Sequence, residues 1–258
     1  MKVHIIGGGN LGVAIAIGLS QYAENTTVTV TRRNTESIRH LKNKGIHVSS
    51  DNIHQISEAD LVILTIKPHQ IGIVLKEIAP FISNKILLSA VSGASLSEIQ
   101  LATNQQQCII RIMPNIAIQF GASASCISFA DKDKAAAQQV IALFKNVGTV
   151  PVVDEKLMDA ATVLGACGTA YALRYIRASM QAGIEIGFDS ETALAIAAQT
   201  AKGAAQMLLE ENIHPEQLID RVTTPQGCTI VGLNEMEHQG FSSSLIKGIK
   251  TSLQKIKG

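Results

Sequence analysis

Apolar residues in the first part of the chain come in short blocks separated by longer amphipathic stretches. Val3–Ile6 is a brief apolar run ended by glycines and predicts a strand. Asn10–Tyr22 places Leu11, Ile15, Ala16 and Leu19 on one face and predicts a helix. Thr26–Val30 is β-branched and reads as a second strand. Thr35–Lys44 reads as a helix closed by Gly45. Leu61–Ile66 is a fully apolar strand stopped by Lys67 and Pro68. Lys85–Ser89 and Cys108–Ile112 repeat the strand pattern, and between them lies a helix capped by Ser95 and Glu98. Strand, helix and strand at this spacing imply βαβ units and a parallel sheet.

The texture changes near Pro151. From Asp154 onward the pattern holds no convincing strand. Leu157–Gly187 is helical in period, rich in Ala and interrupted by Gly165 and Gly168. Ser190–Glu211 is a second helix, capped by Asp189 or Ser190. His214–Arg221 is a third, with Pro215 in its first turn, and Phe241–Lys257 is a fourth. The boundary falls at 152–156, giving an α/β domain over 1–154 and an all-α domain over 155–258. Alanines such as Ala193, Ala197, Ala201 and Ala205 let helices approach closely. About a hundred residues of such helices make a thin core by themselves, so a homodimer or higher homo-oligomer is expected.

Composition narrows the function classes. A hydrophobic share of 46% fits a globular protein and excludes a disordered one. A net charge of +1 gives no pull toward nucleic acid or an acidic membrane. Aromatics are 3% and Trp is absent, which argues against a base- or sugar-stacking site. The chain begins at a strand without a basic-then-apolar leader, and its apolar runs are far shorter than a membrane span; the expectation is a cytoplasmic protein. Cys108, Cys126, Cys167 and Cys228 are scattered without CxxC spacing, so no metal is expected and the thiols are read as free and buried. The seven histidines are dispersed, and no Ser-His-Asp arrangement can be assembled.

The chemistry enters with Gly7-Gly8-Gly9-Asn10-Leu11-Gly12, which fits G-x-G-x-x-G at Gly7, Gly9 and Gly12. Gly7 permits the tight turn, Gly9 lets the backbone approach a pyrophosphate, and Gly12 lets the helix pack on the sheet. The helix N-terminus then turns its N–H groups toward the phosphates. The motif follows a strand and opens a helix, which is the context a Rossmann-type dinucleotide domain requires. NAD-specific sites place an acidic residue at the end of the second strand; here Arg32 and Arg33 stand there. A guanidinium forks onto a 2′-phosphate, so NADPH is the expected cofactor, with NADH as the alternative. Two solvated surface arginines are the competing reading.

Several stretches together resemble the pyrroline-5-carboxylate reductase family, whose members catalyse the last step of proline synthesis. They are GGGNLG (Gly7–Gly12), ADLVILTIKP (Ala59–Pro68), RIMPN (Arg111–Asn115), EKLMDAATVLGACGTAY (Glu155–Tyr171) and VTTPQGCTIVGL (Val222–Leu233). The last is similar to that family's substrate loop, Ser/Thr-Pro-Gly-Gly-Thr-Thr. The resemblance implies hydride transfer to a cyclic imine carboxylate. It places the carboxylate on N–H groups around Gly227, Cys228 and Thr229, with the Thr229 hydroxyl near the ring nitrogen as hydrogen-bond partner and proton relay. It also places Glu155 near the substrate, and Asn52, Thr65, Ile66, Lys67, Pro68, Ser92 and Arg221 near the cofactor. Each has a plainer alternative: Glu155 as an ordinary helix-terminal carboxylate, Lys67 as a solvated lysine, Asn52 as the cap of a following helix.

The chain departs from the family at the implied pocket. The Gly-Ser-Gly-Pro-Ala-Tyr segment is Ala166-Cys167-Gly168-Thr169-Ala170-Tyr171, and Gln226 and Cys228 replace the first Gly and first Thr of the loop. A paralogue with a shifted imine substrate, or a non-catalytic NADP-binding regulator, is therefore the alternative. The β-hydroxyacid dehydrogenases share the domain plan but use a lysine and an asparagine on the first long helix. Here that helix carries only Arg174 and Arg177 as cations, and arginine is a poor acid or base.

Overall fold

The structure, a computed structural model, describes residues 1–103 and 107–257. The chain divides into two compact units, one of Met1–Cys167 with Ile256–Gly258 and one of Gly168–Lys255. Residues 155–167, which the sequence pattern groups with the helical half, cluster with the first unit.

In the first unit the elements run β1 (Lys2–Ile6), α1 (Asn10–Tyr22), β2 (Thr27–Thr31), a 3₁₀ segment (Glu36–Lys44), β3 (His47–Ser49) and β4 (Leu61–Leu64). They continue with α2 (Ile71–Ile78), β5 (Ile86–Ser89), α3 (Leu96–Ala102), β6 (Cys108–Met113), β7 (Ser123–Ala124), β8 (Cys126–Phe129), α4 (Lys134–Phe144) and β9 (Gly148–Thr149). A seven-stranded sheet has the order β3-β2-β1-β4-β5-β6-β8. It is parallel except at its edge, where β8 runs antiparallel to β6. The order reverses between β1 and β4, and in such sheets the crevice beyond the strand ends at that point takes the ligand.

Period-two alternation divides β4 between two cores. Leu61 and Ile63 join Ile5, Ile15, Leu19 and Phe144 on one face, whereas Val62 and Leu64 join Ile6, Leu75, Ile78 and Ile99 on the other. A strand buried on both faces has no polar side, which is why LVIL reads as an unbroken apolar run. Ser95 caps α3 as expected: its Oγ accepts from Glu98 N at 3.2 Å, and Glu98 Oε2 accepts from Ser95 N at 2.7 Å.

The structure corrects three local expectations. Glu36–Lys44 is 3₁₀ rather than α-helical. Its two buried residues, Ile38 and Leu41, are three apart, and in a three-residue turn such positions lie in line. The long helix from Leu157 is broken: α5 (Met158–Ala161) passes through a π-helical turn (Thr162–Cys167) into α6 (Gly168–Glu185). The carbonyl of Gly165 in that turn accepts from Asn115 Nδ2 at 3.2 Å, so a side chain outside the helix serves the widened turn. The thiols are also less buried than expected. Cys228 is exposed and the other three are half-buried.

Cys108 is nevertheless shielded. Burial, followed by nearby Asp133, pushes its thiol up to about 12, and burial also raises Cys126. The thiolate is the nucleophile. A thiol reagent at mildly alkaline pH should therefore label Cys228 quickly and Cys108 and Cys126 only on unfolding. Peptide mapping decides this, and equal labelling of Cys108 and Cys228 in the folded protein would refute it.

The second unit holds α6, α7 (Ser190–Glu211), α8 (Pro215–Arg221), α9 (Cys228–His238) and all but the last two residues of α10 (Phe241–Lys257). Asp189, not Ser190, caps α7, its Oδ1 accepting from Glu191 N and Thr192 N at 3.0 Å each. Buried side chains are few here and large apolar ones are open to solvent, including Ile186 at 77% and Leu209 at 71% exposure. No described helix is long and apolar enough to cross a membrane. No group of three or more His, Cys, Asp or Glu among the described residues is placed to hold a metal.

Candidate functional site

The first part of the site lies at the C-terminal ends of β1 and β4. Gly7 has φ +115°, and a Cβ there would stand 2.6 Å from the Thr65 carbonyl oxygen. A Cβ on Gly12 would stand 2.0 Å from the carbonyl oxygen of Gly7. These two glycines are demanded by the fold itself. Gly9 is different, because a Cβ there would meet nothing within 4 Å. Gly9 caps α1 without any side-chain hydrogen bond, and the first turn carries no acidic residue. An uncapped helix N-terminus beside open space, at the reversal point of a parallel sheet, suits a pyrophosphate. Asn10 and Leu11 form the start of that first turn.

Thr65 buttresses the loop, its Oγ1 donating to Gly7 O at 2.7 Å. Ile66, Lys67 and Pro68 follow it into a short 3₁₀ turn, in which Lys67 N donates to Gln70 Oε1 at 3.1 Å. Lys67 itself is exposed, as is Ser92 in the turn after β5. All of these segments follow the C-terminal ends of parallel strands, the glycine loop leading into α1 on one face of the sheet and the turns after β4 and β5 leading to the other face.

Thr31, the last residue of β2, holds the glycine loop from the other side. Its carbonyl accepts from Gly7 N at 3.1 Å and from Gly8 N at 2.9 Å. The two arginines that follow have different surroundings. Arg32 Nη1 donates to Gly8 O at 2.7 Å, whereas Arg33 makes no hydrogen bond or ion pair among the described residues. Asn52 does not cap a helix. Its Oδ1 accepts from Thr31 Oγ1 at 2.7 Å and its Nδ2 donates to Glu77 Oε2 at 3.0 Å, while Asp51 accepts from the turn N–H of Ile53.

Glu155 opens the 3₁₀ turn before α5. Its Oε1 accepts from Arg111 Nη1 at 3.1 Å and from Leu96 N, the first residue of α3, at 2.5 Å. Arg111 lies in β6 with its side chain 6% exposed, so the guanidinium is a buried charge that needs a partner. The Glu155 carboxylate thus serves the start of α3 rather than of its own helix, and neutralises Arg111 as well. Arg111 was not among the expected site residues. An arginine inside the apolar run CIIRIM was the signal for it.

In the second unit the substrate-type loop is a tight turn. Gly227 N donates to Thr224 O at 2.9 Å across Pro225 and Gln226. Gln226 has φ +61°, a left-handed conformation that the family's glycine adopts without cost. The turn is therefore kept and Gln226 is strained into it. Gln226→Gly should raise stability by about 0.5–1 kcal/mol, the relief of left-handed backbone less the added freedom of glycine in the unfolded chain. A lower melting temperature for that variant would show that the Gln side chain contributes more than its backbone costs. Gly227 is the N-cap of α9 and makes no side-chain cap bond. Cys228 and Thr229 lie within the first turn, both exposed, so Thr229 is not the helix cap. Arg221, at the end of α8, forms an ion pair with Glu211.

Sequence and structural comparisons agree with this layout. Residues 155–258 match the family described as pyrroline-5-carboxylate reductase dimerisation, and residues 2–93 match NADP oxidoreductase coenzyme F420-dependent. The chain is 45% identical to pyrroline-5-carboxylate reductase 1 of Dictyostelium discoideum over 98% of its own length, spanning about half (49%) of that relative. It is 41% identical to reductase 2 of the same organism, covering 98% of this chain and 91% of the relative. The crystal structure of Plasmodium falciparum pyrroline carboxylate reductase with NADP bound superposes with a TM-score of 0.86 at 26% identity, covering 100% of this chain and 97% of that one. With the glycine loop, the switch-point sheet and the helical second half in one order and at this identity over nearly its whole length, the chain belongs to the pyrroline-5-carboxylate reductase family.

Proposed function

We propose that this chain reduces the cyclic imine 1-pyrroline-5-carboxylate to L-proline with NADPH as the preferred donor. It is an oxidoreductase acting on a C=N bond. The observation that carries the cofactor reading is the open cradle at Gly9, bordered by Arg32 and Arg33 where an NAD site places an acid. The reduced nicotinamide supplies the hydride. Gly9, Asn10, Leu11 and Gly12 hold the pyrophosphate on the α1 N-terminus, the Thr65–Pro68 turn and Ser92 border the cofactor, and the exposed Arg33 reads the 2′-phosphate. Gly227 caps α9, and Cys228 and Thr229 present the N–H groups of its first turn to the substrate carboxylate. The Thr229 hydroxyl donates to the imine nitrogen as that atom gains basicity. Glu155 and Arg221 act through the ion pairs each already makes.

The test is NADPH oxidation in the presence of pyrroline-5-carboxylate with proline measured as product. Turnover supports the enzyme. Cofactor binding without turnover favours the regulatory reading, and turnover only on other cyclic imines favours a shifted substrate. The altered residues Cys167, Thr169, Gln226 and Cys228 motivate those alternatives.

We further infer a cytoplasmic homo-oligomer. Ile186, Leu209 and Val231, at 66–77% exposure, are unsuited to a lone soluble chain. Light scattering should give at least a dimer, and a stable monomer at micromolar concentration would refute the inference.

A further inference from the structure

The network behind Asn52 has a geometry that neither the glycine motif nor the arginine pair requires. Period-two alternation sends Val3 and Ile5 of β1 into one core, and His4 and Ile6 to the opposite face. His4 is 1% exposed, so an imidazole stands where an aliphatic side chain would ordinarily pack. A buried polar group needs a partner, and His4 Nε2 lies 2.9 Å from the carbonyl oxygen of Asn52. A carbonyl only accepts, so Nε2 carries the proton and donates. Burial lowers the imidazole pKa below its usual range, which keeps the ring neutral.

Asn52 is thereby fixed at its backbone by β1 and at its side chain by two further elements. Thr31 Oγ1 donates to Oδ1 at 2.7 Å, and Nδ2 donates to Glu77 Oε2 on α2 at 3.0 Å. The carboxylate only accepts, so the amide has one orientation, the one that receives the Thr31 hydroxyl. Thr31 is also the residue whose carbonyl takes the N–H groups of Gly7 and Gly8, and Arg32 and Arg33 follow it directly. The end of β2 is gripped from both sides.

We propose that His4 and Glu77 are positioning residues for cofactor discrimination: by fixing Asn52 they fix the end of β2 and so the direction in which the arginine pair is presented. This rests on the reading of that pair as the 2′-phosphate site. Glu77 is exposed and contacts the network at one atom, so its removal tests the idea with little disturbance of the core.

The experiment compares kcat and KM with NADPH and with NADH for the wild type, Glu77→Leu, Glu77→Gln and His4→Leu. Glu77→Leu should lower the NADPH:NADH ratio of kcat/KM by about three- to tenfold, the net worth of one typical solvent-exposed hydrogen bond, with kcat unchanged. Glu77→Gln, which keeps an acceptor oxygen, should restore most of the ratio. His4→Leu should act in the same direction, and Glu77→Leu carries the test if that variant fails to fold. An unmoved ratio, equal weakening of both cofactors, or Glu77→Gln behaving like Glu77→Leu would overturn the proposal. A wild type without NADPH preference would instead overturn the reading of the arginine pair and take this inference with it.

Discussion

Thr229→Val is expected to cut turnover on pyrroline-5-carboxylate by about ten- to a thousandfold, within the range of a single proton donor or acceptor. Valine keeps the shape and the β-branch and removes only the hydroxyl. Hydride addition converts the imine nitrogen into an amine, so a hydrogen bond and proton source at that nitrogen strengthen as the reaction proceeds. Such an interaction lowers the barrier rather than merely tightening binding. Thr229 lies in the first turn of α9, whose cap is Gly227, so no cap is lost and the melting temperature should stay nearly constant. NADPH binding should also be untouched, because the glycine loop belongs to a different part of the chain. Turnover and melting measured on one preparation separate a chemical role from a structural one. Undiminished turnover would end this account of the loop.

The same loop marks the boundary of what the residues announce. The loop was recognisable in the sequence by its similarity to the family's, but the fate of Gln226 was not. Whether a residue without glycine's freedom distorts a turn or endures it depends on how strongly the flanking segments dictate the backbone. Here α8 and α9 dictate it, and Gln226 takes φ +61°. The strands β1, β4, β5 and β6 were legible because burial on both faces leaves an unambiguous apolar run. β3 and β8 were not: three and four residues long and partly exposed at the sheet's edges, they show neither alternation nor a continuous run. The π-helical turn was hidden for another reason. Gly165 and Gly168 mark an interruption there, but the Asn115 side chain that donates to the Gly165 carbonyl lies fifty residues away, and local periodicity does not identify it.

The cofactor site divides along the same line. Gly7, Gly9 and Gly12 declared themselves by spacing, since the geometry of a strand-to-helix turn is local. The connections of Thr31, Asn52, Glu77 and His4 join residues far apart in the chain, and no motif encodes them. Arg111 lay between: an arginine in a buried strand demands a carboxylate, but only the fold identifies Glu155 as the one supplied.

The arginine pair, treated as one unit in the sequence, has two different surroundings in the structure, and this yields the second large effect. Arg33→Ser should raise the KM for NADPH by about ten- to a hundredfold, the loss of one charge-assisted contact of about 1.5–3 kcal/mol, and leave NADH nearly unchanged. Arg32 already donates to the Gly8 carbonyl at 2.7 Å. Removing it frees that carbonyl and loosens the loop that every dinucleotide must use, so Arg32→Ser should weaken both cofactors. A guanidinium has further N–H groups, so Arg32 also retains capacity for the phosphate, and its NADPH penalty should exceed its NADH penalty. Lysine at 33 should restore charge but not the fork, recovering only part of the preference. Salt offers an independent check: raising ionic strength should weaken NADPH more than NADH in the wild type, and the difference should shrink in Arg33→Ser. If Arg33→Ser instead weakens both cofactors alike, or neither, the exposed guanidinium is a solvated surface group and the phosphate is read elsewhere.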